Sequence, residues 1–131
     1  MIMAHIKHKN NMNEQETRIN KVIEGIDEEN TSVLFEVWKK YLEGVLIFPF
    51  EARVSGDLKG DEEIFDKDNR ITVKKISEID DTYGIIVEGW KLEVKKGRKK
   101  FQLPLDDLKV TDEESSNYQY INDYSVWMAN R

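Results

Sequence analysis

The 131 residues, 39% hydrophobic and 35% charged, suffice for one domain with a buried core and are too apolar for a disordered chain. The formal net charge of −6 excludes a general affinity of the whole protein for phosphate backbones and favours a cation as partner. With no cysteine there are no disulfides, thiolate metal sites or cysteine nucleophiles, which fits the reducing cytoplasm as the expected location.

Residues 1–13 are polar, rich in Asn and Lys, and read as a disordered tail ahead of a single domain over 14–131. Both histidines, His5 and His8, stand in this tail, and it has no apolar h-region of a secretory signal. The rest of the chain therefore has no imidazole for general-base catalysis or zinc binding, so a metal there must bind through oxygen, as calcium or magnesium does. No run of eighteen apolar residues exists, and no membrane span is expected.

Ile19, Val22, Ile23 and Ile26 recur at helical spacing and predict a helix over 14–28. Asn30, Thr31 and Ser32 offer an N-cap for a second helix, whose apolar face is Leu34, Trp38, Tyr41, Leu42 and Val45, with Gly44 as the expected stop. The period then becomes two. In FPFEARV, Phe48, Phe50, Ala52 and Val54 share one face while Glu51 and Arg53 share the other.

Further strands are expected at 71–79, 83–90, 91–95, 99–105 and 108–110, with KKGRKK forming a tight hairpin about Gly97. Ser116 and Gln119 have capping-box spacing, and Ile121, Tyr124 and Met128 continue as a C-terminal helix over 116–130. The expected fold is α+β: a small SH3-like β-barrel of about five strands (47–110), flanked by N-terminal helices (14–46) and the C-terminal helix.

The stretch GDLKGDEEIFDKDN (56–69) holds six acids and two lysines, a net charge of −4. By analogy with SH3-like topology it should gather with the 80–83 turn and the PLDDL piece (104–108) at one end, and the basic hairpin should point away. Gathered carboxylates repel one another unless a cation joins them, and loop-borne oxygens suit calcium better than magnesium. An EF-hand is excluded: counting from Asp66, Asp68 fits the third position, but Arg70 and Ile71 occupy the fifth and sixth. Any calcium site must come from separated segments, and on composition alone a solvated acidic surface is the favoured reading over a metal site.

YLEGVLIFPFEARV (41–54), DDTYGIIVE (80–88), FQLPLDDLKV (101–110) and NYQYINDYSVWMANR (117–131) resemble the CcbP-type calcium-binding proteins over most of the chain from residue 33 onward. The resemblance implies Ca2+ binding without EF-hands in a compact, barrel-containing domain. It implies Glu51, Asp81, Asp107, Asp112 and Asp123 as metal ligands, with Asp80 and Asp106 as neighbours. Asp66 and Asp68 form a second tier in a loop that does not match the family pattern.

Each acid also has a structural reading. Asp123 could pair with a surface lysine, Asp107 could cap the one-turn helix, Glu51 could pair with Arg53, and Asp81 suits a turn. The alternative function is an SH3-like protein-interaction module using Trp38, Trp90 and Trp127, although these tryptophans read better as core. Nucleic-acid binding through KKGRKK is disfavoured by the net charge, and no enzyme is expected without a Walker motif, GxGxxG or an activated nucleophile. The partner expected is thus the calcium ion, with a protein partner under the alternative.

Overall fold

The computed structural model describes residues 14–54, 70–93 and 97–131. Helix α1 covers 14–22, short of the expected 28. The chain leaves it by a turn at 23–25, where Gly25 has φ +80°, a left-handed conformation that ends helices and that side chains oppose. Helix α2, Thr31–Val45, starts as expected: the Asn30 side chain accepts a hydrogen bond from the Val33 N–H at 3.4 Å.

Strands β1 (Phe50–Val54), β2 (Arg70–Asp80), β3 (Gly84–Glu93) and β4 (Gly97–Pro104) follow, then a 3-10 turn (Leu105–Asp107), β5 (Leu108–Val110) and helix α3 (Ser116–Asn130). The segments expected as two strands, 83–90 and 91–95, form the one continuous strand β3, because Glu93 pairs with Gly97 and the reversal comes later. Gly97 opens β4 at φ +74°. The Phe48–Pro49 peptide bond is cis.

The sheet is antiparallel in the order β4-β3-β2-β1-β5. The expected barrel is not closed: β4 and β5 are the two edges, and no pairing joins them among the described residues. The 3-10 turn carries the chain from one edge strand to the other.

Alternation sorts the strands into two faces. Ala52, Val54, Ile71, Val73, Ile85, Val87, Leu103, Leu108 and Val110 are buried on one face, beneath α2 and α3. Trp38, fully buried, lies at the centre of that layer, with the Tyr124 ring at 5.6 Å and the Trp127 ring at 5.7 Å. Trp127 is buried too and Trp90 is half-buried, so the two helical tryptophans are core.

Asn117 closes the join between α2 and β1. Its side-chain oxygen accepts from the Ile47 N–H and its amide donates to the Ile47 carbonyl, both at 2.9 Å. These bonds satisfy a backbone stretch outside any ladder.

Gly89 lies on β3 where β2 crosses so closely that a Cβ would collide with the Thr72 carbonyl. The backbone, unlike a side-chain tip, cannot swing aside. Gly89→Ala is expected to cost about 1–3 kcal/mol, read as a lower urea midpoint at unchanged slope.

Candidate functional site

The β2–β3 turn is built by its own polar groups. Asp80 pairs with Gly84 across the ladder, and the Asp80 carboxylate accepts from the Thr82 and Tyr83 N–H groups at 2.7 and 2.8 Å. This is the local side-chain-to-backbone bonding for which aspartate is suited. Gly84, at φ +76°, leaves room for the Tyr124 hydroxyl and the Phe35 ring. The next residue, Ile85, donates its buried N–H to the Tyr124 hydroxyl at 3.0 Å.

Burial pushes the Tyr124 hydroxyl up to about 12. The Ile85 hydrogen bond acts against that rise and the charge of Asp106 adds to it. Asp106 is thus felt at the phenol that touches the 84–85 backbone.

Register explains the neighbourhood. The last β3–β4 pair is Ile86 with Pro104, one residue short of Ile85, so the chain enters the 3-10 turn beside the start of β3. Leu105 is fully buried and anchors the turn, while Asp106 is exposed and Asp107 half-buried. Burial raises the Asp107 carboxyl above the ordinary range, and the adjacent Asp106 raises it further. The 3-10 turn that carries Asp106 and Asp107 thus lies beside the start of β3, and the turn with Asp80 and Asp81 directly precedes that strand in the chain.

The other acids lie elsewhere. Glu51 is exposed on β1, and its backbone carbonyl accepts from the Thr111 N–H at 3.3 Å, which brings Asp112 to the same edge. Asp112 is also exposed, and its side chain accepts from the Glu114 N–H at 3.1 Å.

Asp123, 2% exposed, faces α1. Its two oxygens accept from Arg18 Nε at 2.8 Å and Nη2 at 3.0 Å, and from the Gln15 amide at 3.0 Å. The partner is thus a buried-side arginine bond rather than the surface lysine of the structural reading. Nothing in α1 announced this role for Arg18 and Gln15, since the contact spans more than a hundred positions.

Asp66 and Asp68 lie outside the described residues. Val54, which precedes that stretch, pairs with Leu108 directly after Asp107, whereas Arg70, which follows it, pairs with Arg53. Among the described residues no three carboxylates are already assembled as a metal cage.

The family model described as calcium binding, of the CcbP type, matches residues 8–128. Among curated proteins no sequence match was found. Two solved structures share the fold. The crystal structure of Anabaena CcbP is 21% identical at a TM-score of 0.66, over 89% of this chain and 90% of that one. A calcium binding protein in the calcium-binding form is 21% identical at 0.61, over 88% and 90%.

Three outcomes are expected from this geometry. Tyr124→Phe strands the buried Ile85 N–H and should cost about 1–3 kcal/mol in denaturant unfolding. Arg18→Ala leaves Asp123 buried with one remaining donor and should cost about 3 kcal/mol, measured in the same way.

The third concerns pH. The Asp107 carboxyl sits above the ordinary 3.8, so its contribution to folding is present below that value and is lost as pH rises through the raised one. In chelator, urea midpoints measured upward from pH 3.8 should therefore fall relative to those of Asp107→Asn, which does not titrate.

Proposed function

The chain belongs to the CcbP-type calcium-binding family, and on that premise we propose that it holds Ca2+ at the acidic corner formed by Asp106, Asp107 and the Asp80–Asp81 turn. The observation that carries this placement is the half-buried Asp107 carboxyl, raised by burial and by Asp106. A carboxyl that burial and a like charge hold back from ionising is favoured in its charged form by a cation beside it.

The donor set fits. It is all oxygen, it is borne by a turn and a one-turn helix, and calcium takes six to eight such ligands at flexible distances. Asp80 already gives one oxygen to its turn, so Asp81, Asp106 and Asp107 bring the charge, and carbonyls and water complete the shell. With no cage assembled among the described residues, binding in this reading draws the turn and the 3-10 segment together. Magnesium, which keeps its water and demands an octahedron, is the poorer fit.

Glu51, whose carbonyl bonds the Thr111 N–H next to Asp112, forms with Asp112 a lesser, second pair in this reading. Asp123 is assigned to its ion pair with Arg18, because three donors already use its oxygens. We read the role as binding without catalysis, in the cytoplasm. The protein-interaction alternative is set aside because Trp38 and Trp127 are buried.

Thermal unfolding in chelator, calcium and magnesium tests the assignment. Calcium at a hundred times its dissociation constant should add about 2.7 kcal/mol, and magnesium much less. Asp106→Asn and Asp107→Asn should each remove most of the calcium shift, and Lys39→Gln, on the far face of α2, should keep it. No shift with calcium would overturn calcium binding. A full shift in both aspartate variants would overturn this placement.

A further inference from the structure

A hollow of about 850 Å³ lies between α1 and the end of α3, over the start of α2. Its wall is apolar: Ile19, Leu34 and Trp127 are buried there, and Ile23 and Val126 are half-buried. The volume stands near the top of the roughly 300–1,000 Å³ range of ligand sites, far beyond the needs of a single ion.

The rim is acidic. Glu16, Glu28 and Glu29 line the hollow and are exposed. Among the described residues none of the three makes an ion pair. Arg131 is the one cation of the lining among these residues. Its guanidinium is seated over the rings of Phe35, at 4.9 Å, and Trp127, at 5.8 Å. The sign holds for the surrounding chain as well. Residues 14–29 carry six acids and two bases, a net charge of −4. Residues 1–13 add Lys7 and Lys9 and no acid, so the charge over 1–29 is still −2.

We propose that this hollow is the docking site for a basic amphipathic helix of a protein partner. The lining comes from α1, the link at 23–30, α2 and α3, and no strand contributes to it among the described residues. Strand addition is therefore not open to the partner, and recognition falls to side chains. An apolar stripe at helical spacing meets Ile19, Ile23, Val126 and Trp127, while lysines or arginines beside the stripe meet the three glutamates. Apolar burial supplies the affinity, and the opposed charges supply orientation and fast encounter. A two-fold contact of this face with itself would set glutamates against glutamates.

None of Asp80, Asp81, Asp106 and Asp107 lines the hollow, so its test is separate from that of the calcium placement. The full chain is titrated into a dye-labelled peptide of leucine and lysine, about 18 residues or five turns long, with its leucines at helical spacing. Anisotropy is followed at about 0.15 M salt, in chelator and again in calcium. The same composition in scrambled order, and the same pattern with glutamate for lysine, should bind at least about tenfold more weakly.

Glu16→Gln, Glu28→Gln and Glu29→Gln combined should weaken binding of the amphipathic peptide about tenfold, as three exposed charge pairs together would. Asn20→Lys, an exposed change that puts a cation on the lining, should weaken it likewise. Glu114→Gln, exposed and outside the hollow, should bind as the parent does, with circular dichroism confirming that every variant is folded. Binding of no peptide in either condition, equal binding of the scrambled peptide, or binding unchanged in both the triple variant and Asn20→Lys would overturn the proposal. A single-chain alkylamine that binds where the peptide does not would assign the hollow to a small amphiphile and overturn the helix.

Discussion

The hydrogen bond from the Ile85 N–H to the Tyr124 hydroxyl holds helix and sheet in one alignment. It lies in the interior, where an unpaired N–H is costly and no water competes. Its geometry demands a glycine at 84, because a Cβ there would strike both the hydroxyl and Phe35. It also sets the position of the β2–β3 turn, and with it Asp80 and Asp81, relative to α3. The aromatic layer of Phe35, Trp38, Tyr124 and Trp127 then packs around that alignment.

Two other polar links join distant parts of the chain. Arg18 and Gln15 hold Asp123, which fastens the first helix to the last. Asn117 takes both backbone groups of Ile47, which fastens the last helix to the entry of β1. Apolar burial supplies the larger share of the driving force but is indifferent to small slides. Hydrogen-bonded groups in the interior tolerate no such slide, so these links select one arrangement of α1, α2 and α3 over the sheet.

The two charged regions arise from the same topology. The 3-10 turn crosses between edge strands and carries Asp106 and Asp107 to the start of β3, whereas β1, β2 and β5 turn Arg53, Arg70 and Lys109 outward in one row. A protein of net charge −6 can therefore set neighbouring carboxylates on one turn and a row of cationic side chains on another part of its surface. Net charge governs long-range behaviour, and side-chain position governs what binds at contact.

Much was legible in the chain itself. The period of two in FPFEARV, the Asn30 cap, the helical stripe of Trp38 and Leu42, and the family resemblance carried by PLDDL and the C-terminal segment needed no coordinates. They rest on local rules: a strand turns alternate residues to one face, and a cap bonds within its own turn. The motif acids could be named for the same reason.

Their fates could not be read there. Asp123 became the partner of Arg18, Asp106 came within electrostatic reach of Tyr124, and Arg53 found cations on both sides. The barrel stayed open because β4 and β5 do not pair among the described residues, and β3 ran on through Lys91 as far as Glu93, whose partner is Gly97. Periodicity specifies which face a residue takes. Strand order, register and the docking of α3 decide which distant residues share that place, and those depend on the whole core packing at once.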